Sequence, residues 1–405
     1  MGSDNEGSSA GLEDKAAEPG IVFDVRRLHE AHHRNTMGPI RSNGCVLERV
    51  AFESSCSGFL WGEDRECIEN NRFDFPLFIP EAQGSQGHKA DDLVVIMNGL
   101  NETAYTKLFP WAVNLALMRG SPTAIFPMAF HLNRRPRAWL SSAPVFHRER
   151  AVLRGNRKSS PYNAALSRRL SDRPGRLFRG GLQTCGDLVG LAKAIMHGCH
   201  PQLSACLSTG ARLHFLGYSA GGYVTLVLLL ADEEGLFAQS RCFLFASCAD
   251  RDGLDPGSIL ILDTEAAGRV MDYYGEGRYP EDEDEETRDW LANRPEGKWF
   301  REILRGNGGL SEALASLGGR VTAFAGIRDR VISANGMARA LKGIPLEVVD
   351  LGIHEYPFNL EGPLKEDYDS SQGRRLLVEI GRSASIPEQY QGRFVRFIRK
   401  AAEFL

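Results

Sequence analysis

The chain has 405 residues, of which 42% are hydrophobic and 25% charged, with a net charge of −4 and a pI of about 6.2. This is the composition of a globular protein with ample apolar material for a large core. It points to neither nucleic acid nor an anionic membrane as a partner, and the absence of an 18-residue apolar run argues against a membrane-spanning helix.

Residues 1–20 are rich in Gly, Ser, Glu and Asp and lack an apolar stretch. They read as a disordered tail rather than a secretory signal, ahead of a domain covering residues 21–405. Eight cysteines (45, 56, 67, 185, 199, 206, 242 and 248) form no C-x-x-C and no paired framework. Reduced thiols and a cytoplasmic location are expected. His29-Glu30-Ala31-His32-His33 formally matches H-E-x-x-H, a zinc-binding helix pattern. That chemistry needs a buried helix and a third ligand. With Arg26, Arg27, Arg34 and Asn35 as flanks, the segment reads instead as solvated, and no metal is expected. The same holds for His197-Gly198-Cys199-His200.

Residues 45–52 (CVLERVAF) and 73–79 (FDFPLFI) read as early strands, with Pro76 placing the second near a sheet edge. Residues 92–97 (DLVVIM) form a continuous apolar run, as in a strand buried on both faces. They end in Asn98-Gly99-Leu100-Asn101-Glu102, and a helix follows over 105–118. A strand is expected at 123–130. Residues 131–180 read as irregular and basic, and 186–197 as a helix with apolar residues at helical spacing. Strands follow at 212–216 and 242–247. After the acidic stretch 250–319, strands at 321–325 and 346–351 flank a helix near 333–341. The chain closes on a helix whose Tyr390, Phe394, Phe397, Ile398, Ala401 and Phe404 form one apolar stripe. Alternating strands and helices predict an α/β class with a mostly parallel sheet, helices on both faces, and a site at the strand C-terminal edge.

Between the 212–216 strand and an apolar helix lies Gly217-Tyr218-Ser219-Ala220-Gly221, which fits G-x-S-x-G. In this strand–turn–helix context the pattern presents a serine Oγ on a strained bend, and small neighbours let the backbone fold sharply. A nucleophilic serine needs a base to take its proton and an acid to orient the base. Asp329 and His354 each fall just past a later strand, in the chain order Ser, Asp, His. Asp250 and Asp252, just past the 242–247 strand, are rival positions for the acid. No phosphate-binding G-x-x-x-x-G-K-[ST] is present.

With these residues in this order the chain resembles the α/β-hydrolase superfamily over roughly residues 90–405. The segments Met97 to Glu102 and 126–134 (FPMAFHLNR), with Trp139, are similar to an uncharacterised bacterial subgroup of it. The resemblance implies an α/β-hydrolase fold with lid-type insertions at about 131–180 and 250–319. It makes Ser219 the nucleophile, His354 the general base and acid, and Asp329 the orienting carboxylate. It also assigns the oxyanion hole to the backbone N–H groups of Leu100 and Ala220. Asn98 stands where the superfamily often has His, and no His-Gly-Gly-Gly loop occurs. The implied activity is that of a serine hydrolase cleaving an ester or thioester through an acyl-enzyme, with no cofactor. Acyl transfer or lyase chemistry with the same three residues, or a catalytically silent interaction protein, are the alternatives.

Two segments are charge-polarised. Residues 131–180 hold 13 Arg or Lys against 2 acidic residues, and residues 250–301 hold 15 acidic against 7 basic. One reading is a pair of solvated insertions that partly neutralise each other. The sharper one is a basic lid, led by Arg134, Arg135 and Arg137, that recruits an anionic thioester as the small-molecule acyl substrate.

Overall fold

The computed structural model describes residues 20–34, 38–82, 88–232, 234–278, 285–306, 308–360, 379 and 383–405. The expected tail at 1–20 therefore lies outside the described residues except for Gly20, as does most of the acidic run at 281–286.

Nine strands form one sheet: β1 (Ile40–Ser42), β2 (Cys45–Glu53), β3 (Arg72–Pro80), β4 (Ala90–Met97), β5 (Thr123–Phe126), β6 (Leu207–Tyr218), β7 (Cys242–Phe245), β8 (Val321–Gly326) and β9 (Leu346–Val349). Their spatial order is β1-β2-β3-β5-β4-β6-β7-β8-β9. The β1, β2, β3 and β5 contacts are antiparallel, and every contact from β5 through β9 is parallel. The strand crossing order and the bend after β6 make this the expected α/β-hydrolase fold.

The central strands read as unbroken apolar runs because both faces are covered. Val94 and Ile96 of β4 point into a core with helices Phe109–Arg119 and Glu388–Phe404. Val95 and Met97 point the other way, into a core with helices Gly175–Met196 and Ala220–Leu230. On the first side the expected stripe of the last helix seats Phe397 against Trp111, with ring centroids 5.2 Å apart.

Several elements differ from the sequence reading. Pro76 is not near a sheet edge, because β3 lies between β2 and β5. It is tolerated because β5 pairs with β3 only at Leu77 and Phe78, leaving the ladder open beside Pro76. The strand expected at 123–130 ends at Phe126, and Phe130 has a left-handed φ of 65°. Residues 131–180 are largely helical, with helices Ala138–His147 and Ala164–Asp172. The helix expected from 186 begins at Gly175. Its glycines hid the first turns, yet Gly186 is needed there: a Cβ would lie 2.6 Å from Cys56 Sγ. Residues 26–33 are solvated on one face only: Arg26, Arg27, Glu30 and His33 are exposed, and the other face is covered. They form a helix whose buried Leu28 and His32 pack inward, with His32 edge-on to Tyr105 at 5.3 Å. Burial pushes the imidazole of His29 down to about 4 and that of His32 to about 3.

The acidic stretch carries helices Thr264–Glu276, Glu285–Asn293, Pro295–Arg305 and Gly308–Ser316. All eight cysteines are free thiols. Among the described residues no helix is long and apolar enough to cross a membrane.

Candidate active site

The β6 strand delivers Ser219 at a bend with φ 53° and ψ −125°, a conformation costly for a residue with a Cβ. Its neighbours must be small. A Cβ on Gly217 would lie 2.5 Å from the Gly222 Cα, and one on Gly221 2.6 Å from the Asn98 carbonyl oxygen. The bend is further held by the Ser219 N–H donating to Phe245 O at 3.0 Å and by the Ser247 hydroxyl donating to Ser219 O at 2.5 Å.

The structure brings the three expected side chains into one hydrogen-bonded line. His354 Nε2 is 2.8 Å from Ser219 Oγ, and His354 Nδ1 is 2.7 Å from Asp329 Oδ2. All three are buried. The other carboxylate oxygen of Asp329 accepts from the Val331 and Ile332 N–H groups, both at 2.9 Å. The carboxylate is thus oriented by backbone on one side and offers its free oxygen to the imidazole on the other. Asp250 does not reach this line. It caps Gly253 and is clamped by Arg339 at 2.5 and 2.7 Å. Asp252 makes no hydrogen bond to His354.

The loop after β4 faces the same serine. Asn98, in place of the usual His, is fully buried; its side chain donates to Gly99 O at 2.9 Å and accepts from the Met128 N–H at 2.9 Å. It therefore staples the loop to the chain after β5. The N–H groups of Leu100 and Ala220 have no acceptor among the described residues. For Ala220 this follows from its place as the first residue of its helix, where N–H groups have no intrahelical partner.

Three residues of this region carried no role in the sequence reading. Asn101 sits in left-handed backbone and donates to Tyr162 O and Leu260 O at 3.1 and 2.7 Å. It ties the loop to both charge-polarised segments. Lys107 forms an ion pair with Glu102 and donates to Tyr218 OH at 3.2 Å and Glu355 O at 2.7 Å. Burial pushes the Glu102 carboxyl up, against the pull of Lys107. The one available signal was the polar run Asn98 to Glu102 directly after an apolar strand, with a lysine among apolar residues five positions on.

Ser219 lies between two cavities. One, of about 150 Å³, is predominantly apolar and is walled by Phe130, Leu166, Phe178, Tyr274, Phe300 and Leu304 among others. Of these, Leu166 and Phe178 come from the basic segment, and Tyr274 and Phe300 from the acidic one. The other, of about 250 Å³, is the more polar of the two, and its lining includes Glu102, Lys107, Tyr162, His354, Glu355 and Tyr356.

The arginines of the basic segment are largely spent inside the protein. Arg134 pairs with Asp187 at 2.8 Å, both side chains fully buried. Arg150 pairs with Asp263, Arg169 with Asp64, and Arg179 with Glu286 at 2.8 Å. Arg137 is 90% exposed and lies 4.0 Å from Glu69. Burial pushes the Arg135 guanidinium down to about 10. None of Arg134, Arg135 and Arg137 lines either cavity beside Ser219. In the H-E-x-x-H segment, His29 contacts Thr106 Oγ1 at 3.0 Å and stacks on His33. Among the described residues no three His, Cys, Asp or Glu side chains gather as a metal site.

Solved structures similar to the chain include a carboxyl esterase of the fungus Tuber melanosporum, 10% identical over 86% of this chain and 87% of that one, with a TM-score of 0.41. An S-formylglutathione hydrolase from Agrobacterium tumefaciens is 12% identical over 86% and 99%, with a TM-score of 0.43. An esterase of Pyrobaculum calidifontis is 12% identical over 89% of both chains, with a TM-score of 0.40. Comparison with curated proteins gives no match. Residues 41–368 match the model described as "Family of unknown function (DUF6051)", and the chain belongs to that family.

Proposed function

We propose that the protein is a serine hydrolase that cleaves an ester or thioester through an acyl-enzyme. The observation that carries this reading is the line Ser219–His354–Asp329, closed at 2.8 and 2.7 Å at the tip of a strained bend. In this reading Ser219 Oγ attacks the substrate carbonyl carbon while its proton passes to His354 Nε2. Asp329 holds the imidazole in the tautomer that leaves Nε2 free to accept, and stabilises the imidazolium that forms. The unoccupied N–H groups of Leu100 and Ala220 receive the developing oxyanion. His354 then returns the proton to the leaving oxygen or sulfur. A water, deprotonated by the same nitrogen, releases the acid and restores Ser219. This reading uses only the chain's own groups and water, and calls for no cofactor.

The apolar cavity suits the acyl chain, since burying apolar surface favours binding by about 25 cal/mol per Å², and the polar cavity suits the leaving group. Eight free thiols support a reducing compartment such as the cytoplasm. A fluorophosphonate probe should label Ser219, and p-nitrophenyl esters of graded chain length should show an optimum set by the apolar cavity. A protein that neither reacts with the probe at Ser219 nor cleaves any ester or acyl thioester is not a serine hydrolase.

A further inference from the structure

We infer that the polar cavity beside Ser219 selects an uncharged, hydroxyl-bearing leaving group, of the polyol class, and discriminates against anionic ones. This deepens the serine-hydrolase reading and rests on it. The cavity adjoins both Ser219 and His354, on the side away from the apolar walls, so it holds whatever departs when His354 returns its proton.

Its hydrogen-bonding groups are of two kinds. The Lys107 ammonium is fully engaged: its three N–H groups meet the Glu102 carboxylate, the Tyr218 hydroxyl and the Glu355 carbonyl. It offers a ligand no donor. The hydroxyls of Tyr162 and Tyr356 and the second carboxylate oxygen of Glu102 have no partner among the described residues. These free groups are two donor–acceptors and one acceptor, a set that matches vicinal hydroxyls.

Charge argues in the same direction. Glu102 and Glu355 face the cavity with one Lys107 between them, a net charge of −1. The Glu355 carboxylate also accepts from the Ser258 hydroxyl, which fixes it in place. An anionic leaving group meets an uncompensated like charge in a semi-enclosed site. A cationic one competes with Lys107, which already lies 4.4 Å from the centre of the Tyr218 ring and 5.6 Å from that of Tyr356. Among the described residues, no arginine without an acidic partner lines the neighbouring apolar cavity either. Arg169 and Arg176 are paired with Asp64, and Arg251 with Glu276. Among the described residues, the phosphate-rich carrier of an anionic thioester therefore finds no free arginine at either cavity.

The test compares butyrate esters of glycerol, 1-propanol and glyceric acid, which share the acyl group and differ in hydroxyls and charge. The full chain should give a kcat/KM for the glycerol ester at least tenfold above both others. Tyr356→Phe should reduce the glycerol-to-propyl ratio of kcat/KM several-fold. Glu355→Gln, which brings the cavity's net charge to zero, should narrow the glycerol-to-glycerate gap at least threefold. If Ser219 is labelled by the fluorophosphonate probe and p-nitrophenyl butyrate is cleaved, yet the three esters turn over equally, the leaving-group assignment falls and the hydrolase reading stands. Ratios unmoved in both variants overturn it as well. Failure of labelling together with failure of all ester cleavage takes down both.

Discussion

Tyr218, the residue before the elbow serine, holds the backbone of His354: its hydroxyl donates to the His354 carbonyl, and its ring stacks on the imidazole with centroids 5.5 Å apart at 24°. The strand that delivers Ser219 thus also positions the group that hydrogen-bonds to it. Lys107 completes the clamp from the loop after β4, reaching Tyr218 OH and Glu355 O. Tyr218→Phe keeps the ring and removes the clamp. It should lower kcat about 3–10-fold with KM nearly constant, since a misplaced base weakens the transition state more than substrate binding. A parallel rise in KM alone, with kcat intact, would show that the hydroxyl serves substrate binding instead.

Ser219→Ala should lower turnover by on the order of 10³-fold or more while leaving the thermal transition in place. The measurement is steady-state hydrolysis of the best p-nitrophenyl ester beside a melting curve. Turnover at the wild-type rate would remove Ser219 from the nucleophile's role.

Asp329→Asn and Asp250→Asn should separate cleanly. The amide at 329 favours the wrong imidazole tautomer, and a loss of about 10³–10⁴-fold in kcat is expected. Asp250 instead holds Arg339 and caps Gly253. Its amide should cost stability and leave kcat within about threefold, because charge-assisted hydrogen bonds contribute about 1.5–3 kcal/mol. The reverse ranking in kcat would move the orienting acid to the end of β7.

Arg134→Met should destabilise by about 3–5 kcal/mol in urea unfolding, because it leaves the Asp187 carboxylate buried without its partner. Substrate preference between charged and neutral esters should not change. A selective rise in KM for the charged ester, with stability intact, would instead make Arg134 a recruiting group.

The His29 and His32 imidazoles are pushed down to about 4 and about 3 by burial. Below about pH 6.5 the unfolded chain takes up protons that the folded one refuses, so stability falls as pH drops from about 6.5 towards those values. Unfolding midpoints at pH 7.5 and pH 5.0 should show this loss. His32→Phe should recover up to about 2 kcal/mol of it, given about 1.4 kcal/mol per pH unit. An identical pH dependence in the variant would clear His32 as a source of acid sensitivity.

What the sequence determined by itself is local or topological. The apolar runs at 92–97 and 242–247 announce buried strands, and the glycines around Ser219 announce a bend that leaves no room for Cβ atoms. Asp329 and His354 follow strand ends, and right-handed crossovers put all such ends at one edge. Strand position alone left Asp250 as a rival to Asp329, since both follow strand ends; the packing pairs Asp329 with His354 and Asp250 with Arg339. Tertiary structure also decided that Arg134 and Arg169 are buried in pairs with acids 53 and 105 residues away, although the segment reads as a basic surface. The residues lining the two cavities come from segments more than 100 positions apart. Spacing and periodicity report the backbone's own geometry, whereas pairings of this kind depend on how distant segments pack.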